Sequence, residues 1–355
     1  MKKFEYLVRF TTPAFLGNAE QSGQWRTPPF KALLRQWWRV AYAAESRFSV
    51  RVDEMRHAEG VLFGHAWLDD DQNQLGQKVA ARKSQVRMRL DRWSEGKQTS
   101  WQALPTVEHP EVKFAVGSDL YLGYGPLTLP KGGKTPTLKA NAALQAGESA
   151  TLSLAVPEEH APRIERALWL MNRYGTLGGR SRNGWGSFVL EPAGDTPALP
   201  TVLDATLLRP WRDALKLDWP HAIGVDEQGP LAWQTEPFDD WKATMRRLAE
   251  IKIGLRTQFK FKSGKHAPAP EDRHWLSYPV TNHSVAPWGG NARLPNSLRF
   301  KVRALPGGKL IGVIFHVPCL PPPSFNPNRT QIERVWQGVH AFLDAPANHS
   351  TRIPE

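Results

Sequence analysis

One cysteine, Cys319, stands among 355 residues. An internal disulfide is therefore excluded, and a structural zinc site built on thiolates has no ligand set. Long apolar runs are also missing: nothing approaches the roughly 20 consecutive apolar residues that a membrane-spanning helix needs. The opening MKKFEYLVRF breaks its apolar stretch at Glu5 and Arg9 and so fails as a signal peptide. The expected location is cytoplasmic, with no membrane partner. No short repeat period occurs, which excludes a solenoid. Acidic residues are outnumbered, 34 Asp and Glu against 46 Lys and Arg, a net charge of +12 at pH 7 with His neutral. Such a field draws polyanions.

What is present suffices for substantial cores. The chain is 41% hydrophobic with 15 Trp, and its length suits about two domains. Residues 4 to 11 alternate, with Phe4, Tyr6, Val8 and Phe10 on one face, which is the period of a strand. Thr27 as cap and Pro28 at the first helical position open a helix to about Glu45, with Phe30, Leu33, Leu34, Trp37, Trp38 and Ala41 at helical spacing. Strands are predicted over Ser84 to Asp91 and Ala150 to Val156, separated by a Gly/Pro/Lys-rich excursion at 117–148. A helix over Pro157 to Arg173, with Ile164, Leu168 and Met171 in a stripe, and a closing strand over Trp185 to Glu191 complete the order βαββαβ.

Residues 191–202 read as a linker. Beyond it the sequence predicts a helix from Asp239 to Gln258, a hairpin of Leu298 to Arg303 and Lys309 to Val317 around Leu305-Pro306-Gly307-Gly308, and a helix from Thr330 to Asp344. The expected class is α+β: two ferredoxin-like (RRM-like) domains in tandem with insertions, the first over 1–192 and a second, degraded one over 203–355.

Two segments suit an anion. Lys31, Arg35 and Arg39 are spaced by four along the first helix, with Arg26 just ahead and no acidic residue at i+4 to neutralise them. In LGGRSRNGWGSF, Gly178, Gly179, Gly184 and Gly186 permit conformations that set successive amides against an anion, and Arg180 and Arg182 add charge. Ser181 and Asn183 each follow one of these arginines, and Trp185 is either a stacking platform for an unpaired base or part of the core. Lys131 and Lys134 mark the excursion as a candidate basic finger.

The chain resembles the RAMP superfamily of CRISPR proteins, whose mark is a glycine-rich loop before the last strand of a ferredoxin-like domain. It is most similar to the type III-B family located at the guide 3′-end of the Cmr effector complex. The resemblance rests on Thr12-Pro13-Ala14-Phe15-Leu16-Gly17, on Arg26-Thr27-Pro28-Pro29-Phe30-Lys31 continuing through Leu34-Arg35-Gln36-Trp37-Trp38-Arg39, on Val61-Leu62-Phe63-Gly64, and on residues 177–186. In the second half only a loose pattern around Arg293-Leu294-Pro295 and Leu298 matches. The resemblance implies a non-catalytic subunit that binds guide CRISPR RNA, target RNA or both and touches other RAMP subunits. No catalytic residue, metal or cofactor is expected.

Rival chemistries have weaker support in the residues. An endoribonuclease would use His, but His57 and His65, like His266 and His274, have no partner at a spacing that marks a site. A metal nuclease would use Asp69-Asp70-Asp71, which reads as a solvated charge run. A phosphate-binding loop at Gly133-Lys134-Thr135 lacks the glycine it needs at position 128, which is Thr128. A protein scaffold without RNA contact remains open, since surface tryptophans make interfaces.

Overall fold

The computed structural model describes residues 1–353 apart from 67, 69, 70, 74 and 134. Alternation in the first residues produces β1 (Lys2–Phe10), in which Phe4, Tyr6, Val8 and Phe10 are buried. There follow α1 (Thr27–Glu45), α2 (Val52–Phe63), β2 (Arg87–Leu90), α3 (Ser118–Gly123), β3 (Ser149–Val156), α4 (Ala161–Tyr174) and β4 (Phe188–Pro192). The four strands form one antiparallel sheet in the order β2-β3-β1-β4. The apolar stripes of α1 and α4 pack together over it, with Leu34, Trp37, Ile164 and Leu168 sharing a core with Tyr6 and Val8.

Residues 193–204 contain no helix or strand. The second half contributes β5 (Ala232–Gln234), α5 (Trp241–Thr257), β6 (Leu298–Ala304), β7 (Leu310–His316), α6 (Arg329–Asp344) and β8 (Thr351–Arg352). Its sheet runs β6-β7-β5-β8, again antiparallel throughout. Both sheets therefore place their strands in the spatial order second, third, first, fourth. Polar side chains start the two long helices: Asp240 accepts from the Ala243 amide at 2.8 Å, and Asn328 accepts from the Gln331 amide at 3.0 Å. The β6–β7 turn closes at Gly307 and Gly308, both at positive φ near 85°.

Several boundaries differ from the sequence reading, each for a local reason. Thr27 lies inside α1, and Arg26 occupies the cap position without a side-chain cap. The strand expected from Ser84 begins at Arg87, because the Gln85 and Val86 amides donate to the Leu62 carbonyl at the end of α2 instead of to a ladder. The closing strand begins at Phe188 and leaves Trp185 in the loop before it. Helix α2 escaped the reading because its buried side, Met55, Glu59, Leu62 and Phe63, carries a carboxylate where an apolar residue would complete the stripe. The 117–148 excursion is built rather than open: it holds α3 and a two-residue pairing of Leu127–Thr128 with Thr137–Leu138.

The halves are joined through β6. Lys301, 1% exposed, donates through Nζ to the carbonyls of Asn172 at 2.7 Å and Gly175 at 2.8 Å, at the C-terminal end of α4. Those carbonyls have no partner within the helix, and N–H donors there meet the negative end of its dipole, while burial first, then Arg303, pushes the Lys301 ammonium well below its ordinary pKa. The Val302 amide donates to Ser187 Oγ at 2.8 Å, and Thr11 Oγ1 donates to the Val302 carbonyl at 2.9 Å. Ring contacts cross the same junction, Phe315 lying 4.7 Å from Tyr174 and 6.4 Å from Trp37. Replacing Lys301 with Met keeps the aliphatic stem and removes both donors. The expected loss is about 1–3 kcal/mol of unfolding free energy, read as a lower urea midpoint. An unchanged midpoint contradicts this role.

Candidate nucleic-acid interface

The segment between α4 and β4 is a compact loop held from both sides. Gly178, Gly184 and Gly186 have positive φ, and at two of them the space is as restrictive as the dihedral. A Cβ on Gly186 would stand 1.8 Å from the Leu177 carbonyl oxygen, and one on Gly178 would stand 2.6 Å from that of Phe15. The loop's own amides supply much of its fixation. Gly179 donates to Phe15, Gly186 to Pro13, Asn183 to Arg180 and Gly184 to Ser181. The expectation that the glycine amides face an anion is corrected for Gly179, Gly184 and Gly186, because these donors are spent inside the protein. Among the described residues no hydrogen bond engages the amides of Arg180, Ser181 and Arg182.

Trp185 belongs to the core. Its side chain is fully buried, ringed by Phe15 at 5.3 Å, Trp101 at 5.5 Å and Trp241 at 6.0 Å. The stacking-platform reading is therefore corrected: no exposed ring is offered to a base. Where a Cβ on Gly184 would point lie Met245 Sδ and Leu248 of α5, so the chain turns inward beneath that helix.

The other face of the loop opens on a cleft of about 1510 Å³. Residues 180–183 form one wall, α3 with Tyr121 and Tyr124 another, and Tyr278 to Thr281 with Arg293 to Asn296 stand opposite. Arg180 is exposed, and its Nε donates to the Tyr124 carbonyl at 2.6 Å, which aims the guanidinium along the rim. Arg182 has no ion pair among the described residues, and burial lowers its pKa. At the base, Lys252 of α5 donates to Asn183 Oδ1 at 2.6 Å, while Asn183 Nδ2 donates to the Leu122 carbonyl at 2.6 Å. Burial first, then Arg256 and Arg180, pushes the Lys252 ammonium well below its ordinary pKa. Arg293 is exposed and donates to the carbonyls of Gly290 and Ala292.

Asp119 is the one carboxylate among the described residues lining this cleft, and its charge is already engaged. It accepts from Trp101 Nε1 at 2.8 Å and from the Leu104 and Leu120 amides. Burial raises the Tyr121 hydroxyl pKa, with Arg256 acting against that rise and hydrogen-bonded to it. The cleft is thus lined by three arginines, flanked by tyrosines, and among the described residues holds no acid free to answer their charges.

The basic stripe of α1 has a different setting from the one its helix alone suggested. Glu59 of α2, with its side chain 5% exposed, accepts from Arg35 Nε at 2.7 Å and from Arg39 Nε and NH2 at 2.7 and 2.9 Å. Lys31 Nζ donates to the Phe63 carbonyl at 2.8 Å, at the end of α2, and Arg26 donates to the Gly17 carbonyl at 2.6 Å. The absence of an acidic partner read from the i+4 rule is corrected by a residue 20 to 24 positions away. Of the basic finger, Lys131 is exposed, and Lys134 lies outside the described residues.

The rival sites are mostly structural. Asp69 and Asp70 lie outside the described residues; Asp71, expected in a solvated run, is buried. It accepts two hydrogen bonds from Arg82, at 2.8 and 2.7 Å, and meets His65 Nε2 at 2.6 Å. Arg82 first, with His65 beside it, holds the Asp71 carboxyl well below the usual range. His274 accepts the Glu271 amide at 3.0 Å, and His266 meets Ser284 Oγ at 2.7 Å. Sequence reasoning missed Lys252 and Tyr278. Lys252 carried a signal, a lone cation between Ile251 and Ile253 in a helix whose neighbours there are buried.

Among solved structures the chain is similar to Cmr1 from Pyrococcus furiosus in its apo form, at 15% identity over 96% of this chain and 97% of that one, with a TM-score of 0.43. It is also similar to a chain of the type III-B Cmr-beta assembly bound to cognate target RNA, at 8% identity over 95% and 99%, TM-score 0.49. A second structure of that assembly, with target RNA and AMPPnP in the presence of ssDNA, gives 10% over 95% and 99%, TM-score 0.47. No family model and no curated protein matches the chain.

The loop geometry ranks two substitutions. Gly186→Ala meets a backbone oxygen at an impossible distance with φ at +64°, and is expected to cost more than about 2 kcal/mol. Gly184→Ala, at φ of +92°, meets only the flexible end of Met245 and is expected to cost about 1–2 kcal/mol. Chemical denaturation of the two variants checks the order, and the reverse order contradicts the account of the loop.

Proposed function

We propose that this chain is a non-catalytic, RNA-binding structural subunit of a type III-B CRISPR (Cmr) effector complex, a member of the RAMP superfamily placed at the guide 3′-end. The single observation that carries the reading is the cleft beside the glycine loop. It gathers Arg180, Arg182 and Arg293, with the buried Lys252 at its base, around a volume wide enough for a strand, and the one carboxylate lining it among the described residues is bonded elsewhere. Arg180 and Arg182 contact phosphates, and Tyr124, 64% exposed at the rim, replaces Trp185 as the ring available to a base. Lys31, Arg35 and Arg39 hold α2 in place, and only their outward edges reach a polyanion.

Two further observations agree with this. Each half repeats βαββαβ with the spatial order second, third, first, fourth, which we take as a tandem pair of ferredoxin-like units. The motifs at 12–17, 26–39, 61–64 and 177–186 that resemble the type III-B family fall on the N-terminal half and on the loop joining the halves. The loosely matching Arg293-Leu294-Pro295 lies across the cleft from that loop. Guide and target RNA are the nucleic-acid partners and neighbouring RAMP subunits the protein partners.

The double variant Arg180→Ala/Arg182→Ala tests the assignment. Its affinity for a single-stranded RNA at fixed salt is expected to fall at least about tenfold. The slope of log affinity against log salt should shrink by about 0.7 for each phosphate that the variant no longer neutralises. The unfolding midpoint should be retained. Unchanged affinity and slope sink the assignment, and RNA cutting by the purified chain, abolished by one His or Asp substitution, sinks the non-catalytic reading.

A further inference from the structure

Beside the large cleft lies a second, smaller pocket of about 110 Å³ that the RNA reading does not use. Arg299 of β6 lines it and is only 8% exposed; its Nε has no hydrogen-bond partner. Its guanidinium lies over the Trp37 ring, 5.7 Å away. Arg182 lines the same pocket from the glycine loop. No carboxylate among the described residues forms an ion pair with either arginine. Two arginines, one buried and one half-buried, thus line a single pocket with no anion supplied by the described residues.

The neighbours do not resolve this. Cys319 lines the pocket, but burial pushes its thiol up to about 11, so it is uncharged near neutrality. Asp218 stands at the exposed mouth and pairs with neither arginine. His316 faces Arg299 from β7 and is itself held neutral by burial, by His340 and by Arg299. Burial first, then Arg182, brings the Arg299 pKa down to about 9. An uncompensated buried charge is strongly destabilising, and a bound counter-ion removes much of that penalty. Further donors belong to residues that line the pocket. Asn296 spends its side-chain oxygen on the Leu298 amide, which leaves its NH2 group, and the orphaned Nε of Arg299 adds a fixed N–H.

We propose that Arg299 and Arg182 form a seat for a single phosphate group, free or esterified, in the pocket flanked by Asn296, Ser297 and Cys319. The size excludes a nucleoside and admits one tetrahedral oxyanion, for which guanidinium forks are the matching donors. Because Arg182 also lines the large cleft, an esterified phosphate arrives at the end or at a sharp bend of a strand lying there.

The full chain in phosphate-free chloride buffer is titrated with inorganic phosphate at constant ionic strength and followed by thermal unfolding. In parallel, one short oligoribonucleotide is added with a terminal phosphate or with a terminal hydroxyl. The wild type is expected to gain about 4 °C in midpoint, saturably, at a hundredfold excess of phosphate over its dissociation constant. A gain from inorganic phosphate identifies the free ion as an occupant, and an extra gain from the phosphorylated oligonucleotide identifies the esterified one. Arg299→Met should abolish the gain while unfolding no lower than wild type without phosphate. Arg182→Met, a milder change at a half-buried site, should weaken phosphate at least about tenfold. No gain from either phosphate probe, or an equal gain in both variants, overturns the proposal. Inorganic phosphate needs no RNA in the large cleft, so failure of the RNA reading leaves this arm standing and the two ideas fail separately.

Discussion

The Lys301 ammonium at the end of α4 is the interaction on which the rest of the architecture depends. It fixes the edge strand β6 against the helix that precedes the glycine loop, so loop and strand cannot drift apart. The loop then completes the junction: the Phe300 amide donates to the Arg182 carbonyl at 3.0 Å, and Asn183 bridges Phe300 in parallel register. An open sheet edge is thereby covered, which removes a surface on which other chains pair. The same pairing turns the side chains of residues 180–183 toward the cleft. A lysine buried for packing and arginines lining an open cleft are consequences of one junction.

The distribution of acids separates structural basic residues from available ones. Glu59 gathers two arginines, Glu111 meets Arg273 at 2.7 Å, and Asp344 and Asp226 share Arg352. These pairs are partly buried and define packing between helices and strands. Around the glycine loop the pattern changes, for Asp119 is the one carboxylate among the described residues lining the cleft, and its oxygens serve Trp101 and two amides. The net positive charge of the chain is thus unevenly free. Paired cations contribute little to a long-range field, and Arg180, Arg182 and Arg293, which form no ion pair among the described residues, line the cleft.

Much of the scaffold was legible because its signals are local. Alternation placed β1, helical stripes placed α1 and α4, and the double glycine at 307–308 placed the β6–β7 turn. The misses share a different cause. Glu59 interrupts the stripe of α2 because its partners are Arg35 and Arg39 on another helix, and no periodicity contains that fact. Trp185 sits among charged and glycine residues in sequence, yet three aromatic rings from distant segments enclose it. Arg182 and Arg299 are 117 residues apart in numbering, and their shared pocket exists only once loop and β6 have paired. Charge spacing along a chain shows which residues are able to meet an anion; tertiary partners decide which remain available.

Arg180 sits at φ of +55°, a left-handed conformation that a glycine adopts without penalty and an arginine does not. Its neighbours Gly178 and Gly179 show that the chain uses glycine freely in this turn. An arginine there makes the loop less stable than its own backbone allows, while its guanidinium is held out over the rim by the Tyr124 carbonyl. Mutational drift toward stability at this position runs against the display of charge, so a screen for thermostable variants of this protein would select glycine or asparagine at 180 and erode the cleft without any sign of misfolding.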